Sequence, residues 1–388
     1  MKSMIMITAT VLIISTAYAA TEETAETTKT VTQQPRIEVV FVLDTTGSMG
    51  GLIDAAKQKI WSIANTLAMT EPVPQIKMGL VGYRDRGDEY VTKHFALTED
   101  LDAVYEFLAA FKANGGGDTP ESVNQAINEA VTDMKWSTDG KTYRVIFLVG
   151  DCPPHMDYGD DVKYAESCKL AAEKGIVVNT IQCGRHLETT PIWQDISKRA
   201  EGQFFCVEQS GSAIVQSTPF DANLVELSVK LDNTRLFYGS EEDMAEQIRR
   251  IERSDKLYEM APVGASAARA KFNASKAGAD NFLGRQELVT DVSSGEVDLD
   301  KIETEQLDER LQKMTSQERK EYVAKMVAQR SVIQKQIEEL SQKRQEYIKQ
   351  QIEKDNLNDK DSLDHQLYEC IKSQAGKKDI VYTDGPVY

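Results

Sequence analysis

Six short apolar runs separated by amphipathic segments constrain this chain more than any other feature. They fall at 37–43, 76–83, 90–96, 143–149, 176–182 and 203–207. Most are continuously apolar, the pattern of strands covered on both faces. Between them, 50–69, 99–112, 120–135, 160–174 and 190–200 carry helical periodicity. In the first of these, Leu52, Ala55, Ala56, Ile60, Ile63 and Leu67 form one stripe. Gly175 and Gly202 fall at helix ends, where positive φ is expected. The alternation predicts an α/β fold: a doubly wound, mainly parallel six-stranded sheet flanked by helices on both sides.

Around this region, 36–236, the chain changes character. Lys2, the apolar stretch Met4 to Ile14 and the A-x-A site Ala17-Tyr18-Ala19 make 1–19 an expected signal peptide. An uncleaved anchor is the competing reading. Residues 20–35 are rich in Thr and Glu and read as a disordered leader. Segment 237–301 reads as a connecting region, with a polar helix over 241–270 and strand-like or turn pieces over 285–300. From 302 to 388 helix formers dominate. Thr315-Ser316-Gln317-Glu318 is a capping box. Val323, Met326, Ile333, Ile337, Leu340 and Tyr347 then follow an imperfect heptad seam, interrupted by Arg330 and Arg344. Two readings stay open for it: a self-associating coiled coil, or a long helix packing on its own chain. A short helix over Leu363 to Lys372 and a strand at Ile380-Val381-Tyr382 complete the pattern.

The net charge of −17 repels phosphate backbones and anionic lipid, which excludes nucleic acid as the main partner. Beyond the first residues no apolar run is long enough for a stable membrane span. In an oxidising compartment the five cysteines offer two pairings, Cys183 with Cys206 and Cys152 with Cys168, leaving Cys370. The alternative is that all five are small buried apolar groups.

Hydroxyls and carboxylates gather at three strand or turn ends. Asp44-Thr45-Thr46-Gly47-Ser48 follows the first run. Asp118-Thr119-Pro120-Glu121 follows Gly115-Gly116-Gly117. Asp151 follows the fourth run. Ligands of open α/β sheets bind beyond the carboxyl ends of strands. Asp44, Thr46, Ser48, Thr119 and Asp151 therefore form an expected oxygen cage. Few carboxylates among neutral hydroxyls suit Mg²⁺ or Mn²⁺. Zinc would call for His or Cys, and the four His are scattered.

Asp44-x-Thr46-Gly47-Ser48, Thr119 and Asp151 resemble the metal-ion-dependent adhesion site of von Willebrand factor type A domains, over about residues 36–210. The resemblance implies a Rossmann-like sheet. It also implies Ser48, Thr119 and the Thr46 hydroxyl as close ligands, with Asp44 and Asp151 binding directly or through water. Many members carry Ser where Thr46 stands, and the hydroxyl is kept. The segments YRDRGDEY, GGGDTPE, GDCPPHMDY and GIVVNTIQCG resemble an exported bacterial group of such proteins. The expected protein is thus exported, periplasmic or extracellular, and binds a protein ligand that offers a carboxylate to the metal.

Other motifs weigh less. Arg86-Gly87-Asp88 sits in a charged turn and reads as turn chemistry. Cys152-Pro153-Pro154-His155-Met156-Asp157 reads as a rigid loop beside the crevice. No nucleophile elbow, Walker loop or dinucleotide fingerprint is present. No catalytic residue is assigned, and an enzyme is not expected. The runner-up is a structural or assembly role carried by the C-terminal helices.

Overall fold

The computed structural model describes residues 34–209, 216–355, 362–382 and 385–388. The expected signal peptide and nearly all of the expected leader lie outside them. In chain order the elements are β1 (Arg36–Asp44), α1 (Gly50–Leu67), β2 (Thr70–Glu71), β3 (Gln75–Tyr83), β4 (Thr92–Thr98), α2 (Leu101–Ala109), α3 (Val123–Thr132), β5 (Tyr143–Gly150), α4 (Tyr164–Glu173), β6 (Ile176–Cys183), α5 (Thr189–Arg199) and β7 (Phe204–Val207). There follow α6 (Asp221–Asp232), α7 (Glu241–Met260), α8 (Val263–Ala274), α9 (Ala279–Leu283), α10 (Leu288–Ser294), α11 (Glu309–Gln312), α12 (Ser316–Lys354), α13 (Leu363–Ala375) and β8 (Val381–Tyr382).

The main sheet has the order β4-β3-β1-β5-β6-β7. All neighbours are parallel except β3 and β4. β1 lies in the middle and is buried from Ile37 to Asp44. Edge strand β4 is blunted by exposed Lys93 and His94. Strand pleating sends Val40 and Val42 to one face, where α3, α4 and α5 pack through Ile127, Cys168 and Trp193. Ile37, Val39, Phe41 and Leu43 face the other way, onto α1 and α2.

That second face is completed from far along the chain. Leu257 of α7, Ala268 and Phe272 of α8, Ile371 of α13 and Tyr382 of β8 join the same core. Polar contacts fix the docking. Asn65 of α1 donates to the Ala268 carbonyl at 2.9 Å. Gln374 of α13 donates to Asn179 of β6 at 2.7 Å and accepts from Tyr143 of β5 at 2.6 Å. Arg269 of α8, fully buried, reaches both Asp102 of α2 at 2.6 Å and Asp232 of α6 at 2.9 Å. The short helix α9 serves as a cap: Asn281 Oδ1 accepts from the Leu101 amide at the start of α2.

The heptad seam of α12 packs on its own chain. Val323 and Met326 join Leu236, Leu288 and Leu307. Ile337 joins Leu224, Leu231 and Phe282. The two arginines that break the seam are its anchors. Arg330 pairs with buried Glu287 at 2.7 Å and donates to the Thr234 carbonyl. Arg344 pairs with Asp221 at 2.8 Å and donates to the Tyr388 carbonyl. The capping box at Thr315 and Glu318 is formed.

Three local expectations change. The helix over 241–270 is two helices, because Pro262 has no amide to continue α7 and instead precedes the first residue of α8. The pieces over 285–300 are helical turns, with α10 started by the Glu287 carboxylate accepting from the Thr290 amide. Gly175 has φ +64°, but at the end of α5 positive φ falls on Glu201. Gly202 is needed there for another reason: a Cβ would stand 1.9 Å from the Val178 carbonyl oxygen. No helix among the described residues is long and apolar enough to cross a membrane.

Candidate functional site

The sequence of strands places the site. The chain leaves β1 for β3 on one side and later returns to β5 on the other, so a crevice opens between the carboxyl ends of β1 and β5. Asp44 ends β1, and Asp151 follows β5 directly. Gly150 lets these loops approach, because a Cβ there would stand 2.4 Å from the Tyr83 hydroxyl and 3.0 Å from Asp44 Cβ.

Asp44 is fully buried. Its Oδ1 accepts from the Thr46 amide at 2.9 Å and the Thr46 hydroxyl at 2.7 Å. The Thr46 and Ser48 hydroxyls lie 3.4 Å apart. Gln209, just after β7, donates to Asp151 Oδ2 at 2.8 Å and bridges to the Ser48 carbonyl at 3.4 Å. The structure thus brings together Asp44, Thr46, Ser48 and Asp151. Thr119 is on the next loop, exposed, and makes no hydrogen bond to them. That loop is tied to the first by the Gly47 amide donating to the Gly115 carbonyl and the Asn114 amide to the Thr45 carbonyl. Buried Arg84 braces both, donating to the carbonyls of Thr45 and Lys112.

Three carboxylate oxygens here are buried and lack a hydrogen-bond partner: Asp44 Oδ2, Asp151 Oδ1 and Glu121 Oε2. Burial pushes Asp44 up to about 7, against the Thr46 hydrogen bonds that lower it. Burial, with Asp44, Asp85, Asp88 and Asp151 nearby, pushes Glu121 up to about 9. Burial, with Asp44, Asp151 and Glu121 nearby, raises the Tyr83 phenol and the Cys152 thiol. Uncompensated carboxylate oxygens beside two hydroxyls are the donor set of a hard divalent cation, so the residues fit one.

Gln209 and Glu121 complete this site beyond the five expected residues. Gln209 follows a strand end, a position that flags it once β7 is placed next to β6. Glu121 lies two residues beyond Thr119, and its burial is a tertiary fact with no local signal.

The cysteine pairings do not form: all five cysteines are free. In the β6–β7 register Cys206 lies opposite Gln182, and Cys183 opposite Val207, so the two sulfurs point to opposite faces of the sheet. Cys183 is in one core and Cys206 is exposed. Cys168 faces the other core from α4, while Cys152 sits on the crevice loop. Burial pushes the Cys168 and Cys370 thiols up to about 12. The Arg86-Gly87-Asp88 turn is committed internally. Arg86 pairs with Asp160 and Asp161 and stacks on Tyr158, while Asp88 accepts from the Gly116 and Asp85 amides.

Parts of the chain are similar to known proteins. The family profile of the von Willebrand factor A domain matches residues 38–209. That segment is similar to a von Willebrand factor A domain. Similar curated proteins include a ring-finger protein of Acanthamoeba polyphaga mimivirus described as putative and ariadne-like, 25% identical over 54% of this chain and 22% of its own length. Another is the alpha-protein kinase vwkA of Dictyostelium discoideum, 26% identical over 34% and 21%. A third is the rat von Willebrand factor A domain-containing protein 7, 36% identical over 31% and 12%. The chain spans about a fifth or less of the length of these relatives. Similar solved structures include proximal thread matrix protein 1 from the mussel byssus with a zinc-occupied MIDAS motif (16% identity, 45% of this chain, 42% of that one, TM-score 0.35). The SpRpn10 VWA domain is another (13% identity, 45% and 89%, TM-score 0.35).

Proposed function

We propose that this protein binds a protein partner through a divalent cation held by Asp44, Thr46, Ser48, Thr119 and Asp151. The observation that carries the reading is the pair of buried, unpartnered oxygens Asp44 Oδ2 and Asp151 Oδ1 beside two hydroxyls. Mg²⁺ or Mn²⁺ suits an oxygen set with two carboxylates. When bound, such a cation supplies an electrophilic centre that accepts a carboxylate oxygen from a partner. The chain's own residues orient the site: Thr46 fixes one oxygen of Asp44, and Gln209 fixes one of Asp151. Met156 and Leu187, on loops after β5 and β6, are 50% and 88% exposed and add apolar surface at the same end of the sheet. The protein acts as a binding module, with no catalytic residue assigned. The Met4–Ile14 run and Ala17-Tyr18-Ala19 support export to the periplasm or cell exterior.

Calorimetric titration of the full chain with MgCl₂ and MnCl₂ tests the site. Saturable binding lost in Asp44→Ala and Ser48→Ala, with unchanged circular dichroism, is expected. Equal binding by wild type and both variants overturns it. Affinity capture from periplasmic or surface extract with and without EDTA tests the partner; metal-independent capture counts against the reading. A second reading, assembly through the C-terminal helices, is favoured by Val327 and Val332 of α12, which face solvent. Sedimentation of wild type and Val332→Glu decides it: a monomer in both removes this alternative.

A further inference from the structure

We propose that Asp85, Asp118 and His155 form a second cation site, separate from the crevice between Asp44 and Asp151, that takes a borderline transition-metal ion of the Zn²⁺ class. The three residues come from three loops: after β3, before α3 and after β5. One carboxylate oxygen from each Asp and an imidazole nitrogen lie within 4.8 Å of one another.

The imidazole carries the argument. His155 is 5% exposed, and its Nε2 makes no hydrogen bond. That nitrogen lies 3.3 Å from Asp85 Oδ2, so it is aimed into the cluster, but the approach lacks hydrogen-bond geometry. On the far side of the ring, Nδ1 lies 2.8 Å from Asp157 Oδ1. With Nδ1–H donating to Asp157, Nε2 holds a lone pair directed at Asp85 and Asp118. A carboxylate behind a ligating histidine is the usual support of such a metal ligand. Stacking on Tyr158, with centroids 4.0 Å apart, fixes the ring plane.

Asp85 is oriented as well. Ser122 donates to its Oδ1 at 2.9 Å, and the Tyr158 hydroxyl donates to its Oδ2 at 2.9 Å. Asp118 is exposed and closes the cluster from the solvent side, which gives an ion a way in. Two carboxylates balance a dication. One imidazole with two carboxylates is a donor set that favours Zn²⁺ over Mg²⁺ or Ca²⁺, which prefer all-oxygen shells. Three protein ligands leave a tetrahedral ion one position for solvent or another ligand.

The test uses the full chain with Cys206→Ser, which removes the exposed thiol, in excess MgCl₂. ZnCl₂ is titrated by calorimetry, and CoCl₂ is followed by the visible d–d bands of a tetrahedral ion. One equivalent is expected. Asp118→Asn, at an exposed position that leaves the fold intact, should weaken binding at least tenfold and abolish the cobalt bands. Asp157→Asn, a positioning change, should weaken it about 10- to 100-fold. Ser48→Ala should leave it unchanged, so this site and the crevice fail separately. Equal Zn²⁺ binding by the parent and Asp118→Asn overturns the proposal. So does no Zn²⁺ binding. Loss in Ser48→Ala also overturns it, because the zinc then sits in the crevice.

Discussion

The two faces of the central sheet are covered in different ways. On one, α3, α4 and α5 lie in the segments between the strands they cover, and the core closes within residues 40–200. On the other, α1 and α2 are joined by residues from 257 to 382. The first face follows from strand–helix alternation alone. The second depends on contacts across more than 150 residues, and polar pairs specify it: Asn65 with Ala268, Gln374 with Asn179, Arg269 with Asp102. Local crossover helices need only an apolar stripe, whereas a helix arriving from far away also needs a directional mark.

The largest break in this comparison should come from Arg269→Met. It leaves Asp102 buried without its main partner and should cost about 3–5 kcal/mol in denaturant unfolding. A loss under 1 kcal/mol would make the distant face an optional attachment. Next is the paired test Ile127→Ala and Ile371→Ala, one in each face and both almost fully buried. Each should cost about 2–5 kcal/mol in a single shared transition. A separate early transition in Ile371→Ala would show that α13 is not part of the same cooperative unit.

The Asp102 pair also sets a pH dependence. Burial alone would raise this carboxyl, but Arg269, Arg235 and Arg250 outweigh it and hold it below the usual range. Because the folded value is the lower one, the pair stabilises fully above the unfolded value of about 4 and loses its contribution as pH falls through the folded one. The stability gap between wild type and Asp102→Asn should be constant from pH 7 to 5 and shrink below about 4. A gap that widens in acid contradicts the sign. Smaller still, Thr315→Ala should cost about 1 kcal/mol by removing the α12 cap. The smallest expected effect is none: dithiothreitol should leave Tm unchanged, because all five cysteines are free.

All six strands were legible, most of them from continuous apolar runs, and their ends shifted by only a residue or two. Asp44 and Asp151 were legible for the same reason, since each ends such a run. Residues whose role depends on a partner elsewhere were not. Arg330 and Arg344 read as breaks in an apolar seam, because a sequence cannot show Glu287 and Asp221 waiting opposite them. His155 read as part of a rigid loop, because Asp85 and Asp118 lie 70 and 37 positions away. The Cys183–Cys206 pairing foundered on register: a residue's shift along β7 changes which face a sulfur meets.

The way the second face is covered also sets a clock for biosynthesis. At about 5–20 residues per second, a ribosome takes roughly ten seconds to most of a minute to pass from the end of β5 to β8. Throughout that interval Phe41, Leu43 and Trp61 wait beside a core that Ile371 and Tyr382 have yet to enter. Early in that interval α1 and α2 alone cover this face of the nascent sheet, and its core closes only when α13 and β8 emerge.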